Sequence, residues 1–326
     1  MSIFRTGKRI FKQEKVVPIF LTINNDFVPY AACTIASITR NANPKRYYRI
    51  IVLHDGITFR NYFKLRNLVT KNCEIQFHKI THSLYLKVVI NHCSSKTGSG
   101  DFFSSAVYYY RSFIARLFPQ YEKAIYIDSD TIVVGDIAEL YDKNLGDNLV
   151  AALVDPKVEA VPEFRKYVDK AVGVPYTEYV NSGVLLLNLK GLRKIRYIQK
   201  MIRAIEQYDA NLVAPDQDYL NVICRGKIMH LEPEWNMQPV KGELPENTKI
   251  IHFNLFKKPW HYDDVDCEEI FWEYAKHSGF RGELLERKMD YSAEDARLNE
   301  AKIEALIKKA GELSKVKEPL FKIEED

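Results

Sequence analysis

Short apolar runs alternate with amphipathic stretches through the first half of the chain, and this alternation limits the possible folds more than any other feature. Val16–Ile23 and Arg49–Leu53 are apolar enough for buried strands, and Tyr30–Arg40 between them places apolar residues at helical spacing. Phe59–Val69 and Cys73–Phe77 repeat the helix and the strand. Strands and helices that alternate at this pace predict βαβ units, and therefore an α/β fold with a mainly parallel sheet.

The same rhythm returns later in the chain. Tyr108–Phe118 carries one apolar helical face, and Ala124–Ile127 and Gly183–Leu189 are apolar runs typical of buried strands. Ile195–Tyr208 is predicted as a helix. Between the two halves, His82–Ser105 is long, polar and glycine-bearing, which is typical of a lid, a binding loop or a disordered segment. We expect a lid that closes over the bound donor.

These patterns divide the chain into a basic N-terminal extension (residues 1–15), an α/β domain (16–280) and a C-terminal helical segment (281–326). The last segment has an apolar helical stripe made of Ile303, Leu306, Ile307 and Ala310. Such a stripe must be buried on the chain's own domain, on a second copy or on a membrane surface. The preceding polar stretch Met289–Asp295 reads as a connector that lets the stripe reach a neighbour, so we expect a homodimer.

Composition excludes several classes of partner. The net charge of +4 comes from interspersed signs, and this argues against a nucleic-acid-binding protein. No run reaches the roughly 18 apolar residues that a membrane span requires, so we expect at most peripheral membrane contact. Five widely spaced cysteines without a CxxC pair predict reduced thiols. We therefore expect a cytoplasmic protein, with the inner face of the membrane as an additional location.

Two carboxylates follow the predicted strand Ala124–Ile127 directly. Ligands of open parallel sheets bind outside the carboxyl ends of the strands, where Asp128 and Asp130 stand. Alternate residues at the end of a strand can turn toward one point, and carboxylate oxygens favour hard divalent cations. The pair is also common as a helix cap or a solvated turn, so by itself it is a weak signal.

Four motifs in order make the chain resemble the retaining glycosyltransferases of family 8, which include bacterial lipooligosaccharide galactosyltransferases and the glycogenins. The segments are YIDSD (Tyr126–Asp130), NSGVLLLNL (Asn181–Leu189), PDQDYLN (Pro215–Asn221) and HFNLFKKPWH (His252–His261). The resemblance spans about residues 16–275. It implies the GT-A fold, a single Rossmann-like nucleotide-sugar domain, here followed by a C-terminal helical appendage.

The resemblance also implies roles for individual residues. Asp128, Asp130 and His252 would ligate Mn²⁺, with Mg²⁺ as an alternative, because mixed oxygen and imidazole ligation suits manganese. A UDP-sugar would be held by Thr22, Asn24, Asp26, Phe27, Ser129, Asn181, Ser182 and Gly183. The catalytic positions would be Arg111, Asp216, Gln217 and Lys258, and Asp155 and Asp218 are candidates on the acceptor side.

Two positions depart from the family pattern. Asn24 stands where many members have an acidic residue, and Leu255 stands where many have a glycine close to the phosphates. A side chain at Leu255 removes the conformational freedom of glycine and hinders close approach of the backbone. We therefore expect a changed geometry around the phosphates.

The resemblance implies a metal-dependent retaining hexosyltransferase that moves galactose or glucose from UDP-galactose or UDP-glucose. The acceptor would be a glycan or glycolipid of the bacterial cell envelope or another surface glycoconjugate. Self-glucosylation on tyrosine, as in the glycogenins, is a second hypothesis. A third is an inactive nucleotide-sugar-binding partner subunit, which the leucine at position 255 favours and the retained acidic, histidine and lysine positions disfavour.

Overall fold

The computed structural model describes residues 16–80, 88–89, 106–239, 244–255 and 257–323. The basic extension 1–15 and nearly all of the predicted closing loop 82–105 lie outside these residues, so those two predictions stay untested. Four of the five cysteines are described, and each of them is buried and unpaired. None of the helices in the described ranges combines the length and the apolar character of a membrane span.

Nine strands are found within the described residues, and seven of them form one sheet. They are β1 (Val16–Ile23), β2 (Tyr47–His54), β3 (Cys73–Lys79), β4 (Lys123–Ile127), β5 (Thr131–Val133), β6 (Val150–Ala152), β7 (Val184–Asn188), β8 (Ile228–His230) and β9 (Ile250–His252). The order in the large sheet is β3-β2-β1-β4-β7-β6-β8. Strands β1 to β4 are mutually parallel, β7 is antiparallel to β4 and β6, and β8 is parallel to β6. The predicted α/β fold with a mainly parallel sheet is confirmed.

The apolar runs become strands because both faces of the sheet are covered. All eight residues of β1 are buried. Ile19 and Leu21 belong to the hydrophobic cluster on one face, and Phe20 belongs to the cluster on the other. A parallel strand that is covered on both faces needs apolar residues at every position, which is why the sequence VVPIFLTI shows no alternation.

The helices lie between and around these strands. They are α1 (Val28–Asn41), α2 (Phe59–Arg66), α3 (Ile114–Leu117), α4 (Ala138–Asp142), α5 (Pro156–Ala160), α6 (Pro162–Tyr167), α7 (Leu189–Lys194), α8 (Tyr197–Tyr208), α9 (Pro215–Ile223), α10 (Glu268–Ala275), α11 (Arg281–Asp290) and α12 (Ala293–Leu313). The helix predicted over Tyr108–Phe118 is mostly a 3₁₀ helix, Ala106–Phe113, which continues into α3. Residues three apart share a side in both kinds of helix, so apolar spacing alone does not separate them.

The C-terminal helices pack against the rest of the same chain. Ala310 is fully buried and Leu306 and Ile307 are partly buried, in one cluster with Phe164 and Tyr167 of α6. These three members of the α12 stripe are therefore covered by the chain's own domain, which was one of the three burial partners considered. This removes the argument that led us to expect a homodimer.

The predicted connector between the C-terminal helices is also wrong. Helix α11 extends to Asp290, and α12 begins at Ala293 after Ser292, which caps it. The side chain of Ser292 accepts a hydrogen bond from the backbone of Asp295, and the Asp295 carboxylate accepts one from the backbone of Ser292. This reciprocal capping box starts a helix where the polar composition had indicated a loop.

Candidate active site

One cavity of about 420 Å³ opens where β1 and β4 end and where β7 begins. Because β7 runs antiparallel to β4, its first residue pairs with the last residue of β4, and both places meet at one edge of the sheet. The cavity brings together nearly all of the residues singled out in the sequence. It is lined by Thr22, Asn24, Asp26, Phe27, Arg111, Asp128, Ser129, Asp130, Asp155, Asn181, Ser182, Gly183, Asp216, Gln217, Leu255 and Lys258.

Asp128, Asp130 and His252 converge beside this cavity. Their candidate ligand atoms all lie within 4.8 Å of one another. Nε2 of His252 is 3.2 Å from Asp130 Oδ1 and 3.9 Å from Asp128 Oδ2. The pairing of β5 with β9 aligns Thr131 with His252, and this register carries the histidine to a carboxylate pair that is distant in sequence.

The orientation of His252 suits a cation. Its Nδ1 lies 2.8 Å from Oδ1 of Asn236, whose amide nitrogen donates to Asn181. The amide of Asn236 therefore offers its oxygen, so we assign the ring proton to Nδ1 and a lone pair to Nε2. Nε2 is buried and has no hydrogen-bond donor in the described part of the chain. An imidazole lone pair and carboxylate oxygens that face one another fit a bound divalent cation.

Gly183 leaves the space in which these ligands meet. A Cβ atom at this position would lie 2.2 Å from Cε1 of His252 and 2.9 Å from Oδ2 of Asp128. Both distances are too short for any side chain. The backbone of Gly183 also accepts a hydrogen bond from the amide of Asp128. Glycine is therefore required here by close approach.

Asp128 is held by a residue that the sequence analysis did not single out. The hydroxyl of Tyr126 donates to Asp128 Oδ1 at 2.5 Å and accepts from Thr22 at 3.0 Å. Nη1 of Arg111 lies 3.2 Å from the same carboxylate oxygen. With Oδ1 engaged in this way, Oδ2 is left to face His252. A tyrosine inside a buried strand is usually an ordinary core residue, so the sequence alone did not predict that Tyr126 would hold Asp128.

Lys258 stands against the other carboxylate. Its Nζ donates to Oδ2 of Asp130 at 2.6 Å and also to the carbonyl of Phe253. Burial by itself would raise the pKa of Asp130, but the charge of the Lys258 ammonium and its hydrogen bond to the carboxylate oppose this, and the net effect lowers that pKa. Asp130 is therefore held in the ionised form that a metal ligand needs, and the ammonium of Lys258 lies beside it.

Leu255 keeps a conformation that glycine usually supplies. Its φ of 58° lies in the left-handed region, which costs a residue with a side chain roughly 1–2 kcal/mol. Leu255 therefore adopts a backbone conformation that glycine takes more readily, and it lines the cavity.

Arg111 and Asp216 form a buried pair behind this part of the cavity. Nε of Arg111 lies 3.0 Å from Asp216 Oδ2 but donates its hydrogen bond to the carbonyl of Tyr108. Oδ2 of Asp216 therefore has no hydrogen-bond donor among the described residues. Burial raises the pKa of Asp216 to about 6, against the opposing charge of Arg111. A ligand hydroxyl could supply the missing donor.

Gln217 is fixed in orientation by its neighbours. Its Oε1 accepts from the backbone amide of Ser182 at 2.9 Å, and its Nε2 donates to Asp155 Oδ2 at 3.0 Å. The same oxygen of Asp155 accepts from Asn181, while Oδ1 of Asp155 caps α5. Both the oxygen and the nitrogen of the Gln217 amide are thus engaged in hydrogen bonds, which fix the orientation of the side chain.

The residues predicted to bind the uridine, Thr22, Asn24, Asp26 and Phe27, lie at the end of β1 and in the turn after it. Oδ1 of Asn24 accepts from the backbone amide of Phe27, which closes the turn into α1. The ring of Phe27 packs edge-on against Tyr30, and Tyr30 stacks on Trp260 with ring centroids 4.3 Å apart. The amide of Asn24 therefore has a local structural role, and Phe27 and Tyr30 present aromatic surface to the cavity.

Comparison with known proteins decides the family. Residues 18–264 match the family model of glycosyl transferase family 8. The chain belongs to glycosyltransferase family 8.

This glycosyltransferase has relatives among bacterial proteins. General stress protein A of Bacillus subtilis (strain 168) is 24% identical over 270 residues, covering 76% of this chain and 89% of that protein. The lipopolysaccharide 1,2-glucosyltransferase of Escherichia coli (strain K12) is 31% identical over 172 residues, covering 48% of this chain and 50% of that protein. A crystal structure of the galactosyltransferase LgtC with donor and acceptor sugar analogues matches with a TM-score of 0.68 and 24% identity, covering 82% of this chain and 99% of that one. The likeness to LgtC confirms the expected GT-A fold.

The glycosyltransferase also brings residues from outside the family region into the cavity. Arg287, Asn299 and Leu306 of the C-terminal helices line it. Nη1 of Arg287 donates to the carbonyl of Asp26 at 2.9 Å and to the hydroxyl of Tyr30 at 3.1 Å. The sequence analysis had assigned the apolar stripe of this segment to self-association and had predicted none of these three residues for the site. No motif marks these residues, because their role depends on where the helices pack.

Asp218 of the glycosyltransferase has a different place from the one predicted. It is completely buried, does not line the cavity, and accepts hydrogen bonds from the hydroxyls of Tyr167 at 2.7 Å and Tyr179 at 2.6 Å. The backbone amide of Ala214 donates to it as well. Asp218 therefore anchors the start of α9, which carries Gln217, from behind the cavity.

The buried carboxyl of Asp218 predicts a pH-dependent stability. Burial raises its pKa to about 7, although the two tyrosine hydroxyls oppose this. An unfolded aspartate titrates near pH 3.9, so the folded chain binds this proton more tightly. The resulting stabilisation is complete below about pH 4 and is lost as the pH rises toward 7. We expect Asp218→Asn to reduce the fall in unfolding free energy over this range by about 2–4 kcal/mol.

Urea unfolding at a series of pH values measures this effect. Asp147→Asn, at an exposed loop position, is the matched control and should follow the wild-type curve. Parallel curves for the wild type and Asp218→Asn would show that Asp218 does not carry the dependence.

Proposed function

We propose that this glycosyltransferase is a metal-dependent retaining hexosyltransferase that uses a UDP-hexose. The observation that carries the proposal is the convergence of Asp128, Asp130 and His252, with an unpartnered imidazole nitrogen, next to Lys258. A divalent ion held by these three residues would neutralise charge on a diphosphate as a Lewis acid. Nothing in a sugar-binding scaffold alone requires this arrangement, so it supports an enzyme over an inactive partner subunit.

The remaining residues fit the two ends of a nucleotide sugar. Thr22, Asn24, Asp26 and Phe27 would hold the uridine at the end of β1. Lys258 would place its ammonium against the departing diphosphate, where negative charge grows as the bond to the sugar breaks. The free oxygen of Asp216 would accept a hydrogen bond from a hydroxyl of the hexose, with Arg111 holding that carboxylate in place.

We infer that the reaction proceeds with retention by attack from the same face. The bond between the sugar C1 and the diphosphate oxygen breaks, the acceptor oxygen bonds to C1, and the acceptor proton passes to the departing phosphate. The amide of Gln217, which lines the cavity, would face this side of the sugar; it is a poor nucleophile, but its dipole can stabilise positive charge on the sugar. Its two hydrogen bonds, to Ser182 and Asp155, hold it in position.

Glucose and galactose are the sugars we propose for transfer. The names of two similar proteins, a lipopolysaccharide 1,2-glucosyltransferase and the galactosyltransferase LgtC, support this choice. By the same reasoning the acceptor is a glycan or glycolipid of the bacterial envelope, and the protein acts in the cytoplasm or at the inner face of the membrane.

A donor panel tests the proposal. We expect UDP-glucose or UDP-galactose, with Mn²⁺, to release UDP at least about tenfold faster than UDP-N-acetylglucosamine or a GDP-hexose, since the site must admit one set of sugar hydroxyls. Proton NMR of the transferred sugar should show the anomeric configuration of the donor. The intact mass of the protein should not change, whereas a gain of hexose units would support self-glucosylation. An inverted product would contradict the retaining mechanism.

A further inference from the structure

Part of the cavity wall is apolar and distinct from the metal and nucleotide residues. It consists of Val158, Phe164, Val168, Val213 and Leu306, which we call the apolar wall. All five belong to one hydrophobic cluster, and that cluster contains none of the predicted metal or nucleotide ligands. The cavity therefore joins a charged region to a carbon surface.

The apolar wall has few polar groups to offer to sugar hydroxyls. Tyr167 and Tyr179 also line the cavity in this region, but both hydroxyls donate to the buried carboxylate of Asp218. Both rings are almost completely buried, so the two tyrosines support the wall from behind and offer no unengaged hydroxyl to a ligand. A sugar placed against this surface would lose hydrogen bonds to water without replacing them, whereas an aliphatic group would lose none.

The apolar wall is continuous with the residues around the reacting sugar. Val158 lies one turn after Asp155, and Asp155 is 3.0 Å from the amide nitrogen of Gln217. Val213 immediately precedes the segment that starts α9, and its backbone amide donates to the hydroxyl of Tyr167. An acceptor hydroxyl presented next to Gln217 would therefore direct the rest of the acceptor onto the wall.

Leu306 is the member of the wall that comes from outside the family region. It lies on α12, while the family match ends at residue 264. Nζ of Lys309, one turn later, donates to the carbonyl of Leu212 at 2.8 Å and ties α12 to the segment before Val213. The C-terminal helix thus completes the wall at a position that the family domain itself does not supply.

We propose that this wall is an acceptor subsite for an amphipathic glycoside, a sugar joined to an aliphatic aglycone, and that Leu306 is a specificity-determining residue. The sugar hydroxyl lies next to Gln217 and the aliphatic chain lies along the wall. This inference rests on the proposed function, because it names the acceptor of that transfer. It also gives the C-terminal helix a role in substrate selection.

Binding of paired glycosides tests the subsite directly. Methyl and octyl β-glucosides and β-galactosides, below their micelle concentrations, are titrated by calorimetry into the full chain with Mn²⁺ and UDP. We expect the octyl compound of the better sugar to bind at least about tenfold more tightly than its methyl partner. In Leu306→Ala this ratio should fall by about tenfold, and in Leu306→Met it should return toward the wild-type value.

Ile307→Ala is the matched control on the same helix. Ile307 packs in the same cluster but does not line the cavity, so its loss should change stability and leave the octyl-to-methyl ratio as in the wild type. Equal binding of methyl and octyl glycosides by the wild type would overturn the subsite, as would equal losses in the Leu306 and Ile307 variants.

Donor hydrolysis separates this inference from the proposed function. UDP release from UDP-hexose without acceptor is measured on the wild type and on Ile307→Ala. If the protein hydrolyses UDP-hexose but binds methyl and octyl glycosides equally, the subsite is contradicted and the proposed transferase is retained. An octyl preference without any turnover of UDP-hexose would retain the glycoside subsite and contradict the proposed transferase.

Discussion

Replacement of Asp130 by asparagine is expected to lower UDP-hexose turnover by about a thousandfold while the protein stays folded. The substitution keeps the shape of the side chain but removes the charge that faces both His252 and Lys258. Without that charge the site loses one anionic ligand, and the ammonium of Lys258 loses its partner. Turnover is measured as UDP release with Mn²⁺ at saturating donor, and folding by circular dichroism and thermal unfolding.

Asp142→Asn is the control for the loss of one carboxylate. Asp142 forms an ion pair with Arg46 and neither residue lines the cavity, so this variant should turn over UDP-hexose at the wild-type rate. Wild-type activity should also disappear in EDTA and return best with Mn²⁺. Full activity of Asp130→Asn in the presence of chelator would refute the metal-dependent reaction.

Gly183→Ala is expected to have an effect nearly as large, through a single methyl group. The new Cβ would overlap Cε1 of His252 and press on Oδ2 of Asp128, so at least one ligand must move. Both neighbours are constrained, because His252 is fully buried and Asp128 is bonded to Tyr126. We expect Mn²⁺ affinity and turnover each to fall by about a hundredfold or more.

The affinity is measured from the electron paramagnetic resonance signal of free Mn²⁺ during titration of the protein with UDP present. Gly282→Ala serves as the control, because a Cβ at that glycine meets no atom within 4 Å. It should bind Mn²⁺ as the wild type does. Unchanged Mn²⁺ affinity in Gly183→Ala would show that the ion binds elsewhere.

Much of the fold was predictable from local patterns. The strands over Val16–Ile23 and Ala124–Ile127 were found because burial on both faces demands continuous apolar runs. The antiparallel direction of β7 was not predictable, since GVLLLNL is equally apolar in either direction. The start of α12 was missed because the capping box of Ser292 and Asp295 is made of polar residues that also favour loops.

The candidate site was predictable where side chains follow a motif. Asp128 and Asp130 stand at the end of a strand, and the resemblance to family 8 implied His252 and Lys258. Tyr126 and Asn236 were missed because their contacts join residues far apart in sequence. The hydroxyl of Tyr126, for example, meets Thr22 across 104 residues, a contact that depends on strand register.

The C-terminal segment shows the limit of pattern reasoning most clearly. Its apolar stripe correctly required burial, but spacing alone does not name the surface that covers it. The structure packs Ala310 against α6 and places Leu306 at the cavity. The stripe therefore packs against the chain's own domain, and the argument for self-association no longer applies.

The most direct test of the central claim is the release of UDP from UDP-glucose and UDP-galactose by the wild-type protein, with no acceptor present. Transferases of nucleotide sugars commonly hydrolyse their donor slowly when water replaces the acceptor, so the assay requires no knowledge of the acceptor. We predict release from at least one of the two donors with Mn²⁺, and none above background in EDTA or with Asp130→Asn. Equal release with Mn²⁺, in EDTA and with the variant would contradict the account.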